Sequence, residues 1–185
     1  MGFRFLHTAD WQIGKPFGTF GPETSGRLQE ARFTASDRLA DAARSGGAAH
    51  VLVAGDVFDH QQPSDRVLHR TMERLAAAPD LTWWLLPGNH DPAQDLGLWA
   101  RLAEAGMPDH VVALTTAQPQ RIDNELRVDL LPAPWTSKRP GRDLTEMFDH
   151  ADQPEGAEGP AAVRIGLAHG GVQSFGSDPD ERQII

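Results

Sequence analysis

The chain has 185 residues, which suits one domain on the usual scale of roughly 100–200 residues per domain. Apolar residues make up 39% and charged residues 23%, the balance of a globular chain rather than a disordered or fibrous one. The 17 basic and 26 acidic residues leave a net charge of −9, which argues against a nucleic-acid-coating or membrane-surface protein but leaves room for a metal site, since such sites consume carboxylates. With no cysteine, disulfides, thiolate metal sites and cysteine nucleophiles are excluded, and 8 histidines remain as candidate ligands. The start, Met1 to His7, lacks a secretory apolar stretch, and no apolar run approaches a membrane span. A cytoplasmic location is expected.

Phe3 to Thr8 reads as a buried strand. The Gly- and Pro-rich segment from Trp11 to Gly26 reads as loop. From about Glu23 to Arg44, Leu28, Ala31, Phe33, Leu39 and Ala43 keep a helical period, and Gly46-Gly47 ends the helix. His50 to Ala54 reads as a buried strand running into Gly55-Asp-Val-Phe-Asp59. Ser64 opens a second helix carrying Val67, Leu68, Met72 and Leu75. Leu81 to Leu86 is a third strand, followed by Pro87-Gly-Asn-His-Asp-Pro92 and a shorter helix over about Leu96 to Ala105. Beyond Gly106 the texture changes to short strands: His110 to Leu114, Arg121 to Ile122, Leu126 to Leu131 and, after an acidic loop from Asp149 to Gly159, the apolar Val163 to Ala168. The first half thus implies parallel βαβ units, and the second half a separate, more antiparallel sheet. Trp83 and Trp84 are expected on opposite faces of their strand.

The functional signal is convergence. In open α/β sheets the carboxyl ends of the strands form the binding edge, and here three strands end in Asp10-Trp-Gln12, Gly55-Asp56 and Gly88-Asn89-His90-Asp91, while a fourth ends in His169-Gly-Gly. Each cluster alone has a plain structural explanation: an Asx turn, a helix cap, a hydrogen-bonded loop, a core histidine. All four together, each ending in oxygen or imidazole donors, match a site for Mn²⁺, Fe²⁺ or Zn²⁺. A dinuclear site needs a bridging carboxylate, and Asp56, on the central strand of the three, suits that place.

These four blocks resemble the calcineurin-like metallophosphoesterases, from Phe3 to His169. The wording Leu6-His-Thr-Ala-Asp-Trp-Gln-Ile-Gly-Lys15 and Val53-Ala-Gly-Asp-Val-Phe-Asp59 is similar to the DNA repair exonuclease branch, the SbcD-type nuclease subunits. The resemblance implies an α/β fold, a sandwich of two mixed β-sheets flanked by helices, as one domain over residues 1–185. It implies two divalent ions, Mn²⁺ foremost, one on Asp10, Gln12 and Asp56 and the other on Asp56, Asn89 and His169. His90 would be the catalytic proton donor rather than a ligand. Asp91 or Asp59 would orient a histidine or fix a loop. Two departures stand out. Gln12 stands where the family has a histidine, and nothing after Gly171 matches the family's later Gly-His-x-His block, so the domain is expected to be truncated at its C-terminus.

The partners implied are DNA as substrate, a homodimer contact through the helices around Ser64–Ala77 and Leu96–Ala105, and an SbcC-type ATPase bound through segments beyond this chain. For those helices, simple packing on the sheet is the competing reading. A small-molecule phosphoesterase and a non-catalytic module are the competing functions. Lys15, Arg66, Arg70, Lys138, Arg139 and Arg142 are candidate phosphate contacts or ordinary solvated charges. Trp11 could stack on a base or pack the core. His7 reads as a core histidine or one supporting the site from behind, and His60 as a polar loop residue. His50, His69, His110 and His150 read as structural or exposed.

Overall fold

The computed structural model describes residues 2–137 and 143–170. The elements follow the chain as β1 (Phe5–Thr8), α1 (Pro22–Gly46), β2 (His50–Ala54), α2 (Asp65–Ala76), β3 (Thr82–Leu86), α3 (Leu98–Ala105), β4 (Val111–Ala113), β5 (Gln120–Asp123), β6 (Val128–Ala133), α4 (Met147–His150) and β7 (Val163–Ala168). The start of α1 uses Pro22, whose missing N–H has no helical partner in the first turn anyway. Its end is set by Gly47, at φ 67, whose N–H reaches Arg44 O at 3.0 Å.

Strands β1, β2, β3 and β4 form a parallel sheet in sequential order, and β5, β6 and β7 form a second sheet. Sequential order with right-handed crossovers sends every connecting helix to the same face. Accordingly Val51, Val53, Trp83 and Leu85 share one core with Phe33, Ala40, Leu68, Leu75, Leu98 and Trp99 of the helices. The alternate residues Leu52, Ala54, Trp84 and Leu86 point to the other face and meet Ile122, Val128, Leu130 and Leu167 of the second sheet. Trp83 and Trp84 therefore serve different layers. The result is helices, parallel sheet and second sheet stacked in that order.

Three expectations are corrected. Val111–Ala113 belongs to the first sheet, because one further crossover through α3 lays it parallel to β3. The second sheet is, as expected, the more antiparallel of the two, and it is mixed: β5 pairs antiparallel with β6, and β7 pairs parallel with it. β1 and β7 are not buried. Each is an edge among the described residues, leaving Phe5 40% and Val163 48% exposed. His7 is exposed for the same reason. Expectations that fall on Lys138, Arg139, Arg142 and the residues after Gly170 lie outside the described residues.

The helix residues weighed for a contact between copies face inward. Leu68, Leu75, Leu98, Trp99 and Leu102 belong to the helix-side core, and Leu96, just before α3, is the large apolar residue left exposed, at 94%. Among the described residues no helix is long and apolar enough to cross a membrane.

Candidate metal centre

Backbone pairing continues past the strand ends and zips the first two loops together. Asp10 N–H donates to Gly55 O at 3.1 Å, Gln12 N–H to Asp56 O at 2.9 Å, Ile13 N–H to Val57 O at 2.9 Å and Asp59 N–H to Ile13 O at 3.0 Å. This pairing holds three non-glycine residues in left-handed backbone: Asp10 at φ 57, Gln12 at φ 43 and Asp56 at φ 54. Such conformations cost about 1–3 kcal/mol each and persist where the surroundings over-determine them, often at functional sites.

The third loop is tied to the second by Asp91. Its carboxylate, wholly buried, accepts Phe58 N–H at 2.9 Å and Gly88 N–H at 2.7 Å. Burial pushes the Asp91 carboxyl up to about 6, against the pull of those two N–H groups. Gly88 is needed for close approach, since a Cβ there would lie 2.2 Å from Asp56 Oδ1. Gly55, at φ 86, plays the same part toward the second sheet: a Cβ there would lie 2.3 Å from the His169 ring.

These contacts bring Asp10, Asp56 and His169 together, with one ligand atom from each lying within 4.8 Å of the other two. Asn89 Oδ1 adjoins them, 2.9 Å from His169 Nε2. Ligands on one transition ion at about 2.1 Å each stand at most about 4.2 Å apart, so the cluster fits a divalent ion after a slight inward shift. The donors, two carboxylates, an imidazole and an amide oxygen, suit Mn²⁺, Fe²⁺ or Zn²⁺. His169 Nδ1 lies 2.8 Å from Ala54 O, so Nδ1–H donates there and Nε2 is the atom turned to the cluster. Burial alone would raise the Asp56 carboxyl, but His169 and the His90 N–H outweigh it and hold it below the usual range. For His169 burial works downward, and the Asp56 carboxylate at 3.4 Å reverses it, so the imidazole is raised.

His90 stands at the margin. Its backbone N–H donates to Asp56 Oδ1 at 3.0 Å, its Nδ1 contacts Asp59 O at 2.8 Å, and Nε2 lies 3.9 Å from Asp56 Oδ2 with the side chain 43% exposed. Asp59 thus orients a histidine through its backbone carbonyl, while Asp91 fixes the loops. Gln12 turns its side-chain oxygen to Lys15, whose Nζ donates to it at 2.8 Å. Trp11 packs edge-on against Trp83 in the core, and Arg70 is engaged by Glu30 and lies over Phe33. Arg66 and His60 are exposed. A cleft of about 540 Å³ between α1 and the first loop adjoins Asp10, lined in part by Phe17, Leu28, Arg32 and Leu39.

Sequence reasoning missed two supports. Arg32, on α1, donates to the carbonyls of Asp10 and Trp11. Trp135, after β6, donates from Nε1 to His169 O at 2.7 Å and accepts Ala93 N–H on its own carbonyl at 2.7 Å, binding the third loop to the second sheet. No local pattern marks either; each depends on a partner many residues away.

Comparison with known proteins agrees with this geometry. Residues 3–183 match the family model described as calcineurin-like phosphoesterase. Over 125 residues the chain is 37% identical to the SbcD component of the nuclease SbcCD from Rhodobacter capsulatus, covering 65% of this chain and 29% of that protein. The chain thus spans less than a third of that relative's length. With nearly every residue inside the family match and the strand-end donors gathered at one rim, the chain belongs to the calcineurin-like phosphoesterase family.

Proposed function

We propose that this chain carries the phosphodiester-hydrolysing site of a metal-dependent DNA nuclease of the SbcD type, an exonuclease or endonuclease of DNA repair acting in the cytoplasm. The observation that carries the reading is the convergence of Asp10, Asp56 and His169 where strands of both sheets end. The nuclease branch rests on the similarity to the Rhodobacter protein.

In this reading Asp10, Asp56, Asn89 and His169 are the metal donors, with manganese foremost. The bound cation supplies Lewis acidity, activating water as nucleophile and neutralising charge on the phosphoryl oxygens. Two ions bridged by Asp56 are the family expectation, and the second depends on Gln12, whose oxygen faces Lys15. Asp56, held ionised by His169 and the His90 N–H, keeps the negative charge that the cation needs. His90 donates Nδ1–H to the Asp59 carbonyl, which leaves Nε2 as the exchanging nitrogen at the exposed margin. From the protonated ring, Nε2 gives its proton to the leaving alkoxide, a contribution of typically about 10²–10⁴-fold. The same reading extends to a partner protein, since the relative is named as one subunit of SbcCD.

The test is Mn²⁺-dependent degradation of end-labelled linear duplex DNA, run beside hydrolysis of bis(p-nitrophenyl) phosphate. Degradation of DNA abolished by EDTA supports the reading. Hydrolysis of the small diester without any action on DNA moves the substrate to a small molecule, for which the cleft beside Asp10 has room. No Mn²⁺-dependent hydrolysis of either leaves a non-catalytic module.

A further inference from the structure

The loop after β1 brings a positive charge of the protein's own to the rim. Lys15 Nζ donates to Gln12 Oε1 at 2.8 Å and stands 3.8 Å from Asp59 Oδ1. Both partners are held from behind. Gln12 sits in left-handed backbone at φ 43, pinned by its N–H on Asp56 O at 2.9 Å. Asp59 is pinned by its N–H on Ile13 O at 3.0 Å and by the His90 ring on its carbonyl. Glutamine offers one neutral acceptor oxygen, and here an ammonium already sits on it. A divalent ion on that same oxygen would stand within a few ångströms of the ammonium, well inside the screening length of about 8–10 Å, so the two charges repel. Asp10, Asp56 and His169, by contrast, already bring one ligand atom each within 4.8 Å of the other two.

We propose that Lys15 takes the place of a second cation at the Gln12–Asp59 end of the rim. The chain holds one divalent ion, on Asp10, Asp56, Asn89 and His169, and a phosphoryl oxygen of the substrate binds the Lys15 ammonium. The lysine has the capacity for this: an ammonium carries three protons, Gln12 takes one, and the side chain is 39% exposed. Lys15 is then a substrate-binding residue, and Gln12 is the residue that positions it. The proposal rests on the reading of the rim as a phosphodiester-hydrolysing site.

The deciding experiment is a calorimetric Mn²⁺ titration of the full chain, with the free ion followed by electron paramagnetic resonance. One ion per chain is expected. Lys15→Met frees the Gln12 oxygen, so a second and weaker Mn²⁺ site emerges. In the same variant, inorganic phosphate binds the Mn²⁺-loaded protein about tenfold more weakly, the loss of one charge-assisted hydrogen bond. Lys15→Arg restores most of the phosphate affinity and keeps one ion. Two ions of comparable affinity in the unaltered chain, or unchanged phosphate binding in Lys15→Met, overturns the proposal. If the unaltered chain binds two ions and degrades DNA, only the role of Lys15 falls. If it binds none, the metal-dependent reading falls with it.

Discussion

The two sheets contribute to the rim in opposite ways. The parallel sheet supplies three loops locked to one another: the loops after β1 and β2 by four backbone hydrogen bonds, the loops after β2 and β3 by the Asp91 carboxylate. Among the described residues the second sheet supplies one residue, His169, from the end of an edge strand that is half exposed along its length. Ala54 O and Asn89 Oδ1 on its ring and Trp135 Nε1 on its backbone carbonyl seat that histidine. Asp10, Asp56, Asn89 and His90 thus stand on a scaffold braced by its own hydrogen bonds, whereas His169 is docked onto it. The rim is a hydrogen-bonded, carboxylate-bearing platform closed by one imidazole from a less supported layer.

The largest effect is expected where both layers meet. Asp56 is buried, accepts the His90 N–H and faces His169 Nε2 at 3.4 Å. If the proposed function holds, Asp56→Asn removes the charge that would hold the ion, so Mn²⁺ binding measured by calorimetry should vanish and phosphodiester hydrolysis should fall about a thousandfold, the scale of a lost Lewis acid. His90→Asn separates turnover from binding. Hydrolysis should drop by at least about a hundredfold while the Mn²⁺ affinity changes little. Equal losses in both would make His90 part of the platform rather than the proton donor at its margin.

How far the rim is legible in the sequence follows the same division. The loops after β2 and β3 each carry local marks, an apolar strand, a glycine that permits close approach and then a donor, while the loop after β1 shows only an apolar strand running into Asp10. Hence Asp10, Asp56, Asn89 and His90 stand out from the residues alone, and the need for Gly55 to be small is explained by the His169 ring 2.3 Å from its missing Cβ. The supports are not legible. Arg32 reaches Asp10 O across 22 positions, and Trp135 reaches His169 across 34. Burial of β1 and β7 is overestimated from the sequence because an apolar run says nothing about whether a strand has a neighbour on both sides. β4, three residues long, is too short to show to which sheet it belongs. Gln12 is recognisable as a departure, but its engagement by Lys15 needs coordinates.

Within the platform, Asp91 gives a test of stability rather than of chemistry. Its folded pKa of about 6 lies above the ordinary aspartate value. Between those two values the folded chain binds more protons than the unfolded chain, so this group's contribution grows as pH falls and is lost as pH rises through about 6. The amplitude is up to about 3 kcal/mol. Asn cannot titrate, and its amide N–H₂ would face one of the two backbone N–H groups. Urea midpoints of the metal-free chain should therefore show Asp91→Asn less stable than the unaltered chain, with the gap widest near pH 4 and narrowing toward about pH 7. A gap that widens toward neutral pH would mean that the ionised carboxylate is what the loops prefer.

Gly55→Ala tests the docking of His169 most directly. Alanine at φ 86 carries a left-handed penalty of about 1–2 kcal/mol, and its Cβ would fall 2.3 Å from the His169 ring. Either β2 or β7 must give way. β2 is the central, buried partner of β1 and β3, whereas β7 has a single neighbour among the described residues, so the histidine should move. The expected result is about a tenfold loss of Mn²⁺ affinity, at the low end for a displaced support of a metal ligand. Amide exchange should meanwhile remain slow at Phe58 and His90, whose N–H groups rest on the Asp91 and Asp56 carboxylates. Fast exchange at those two amides would show that the imidazole holds the carboxylate loops in place, and that the platform and its closing residue fold as one unit.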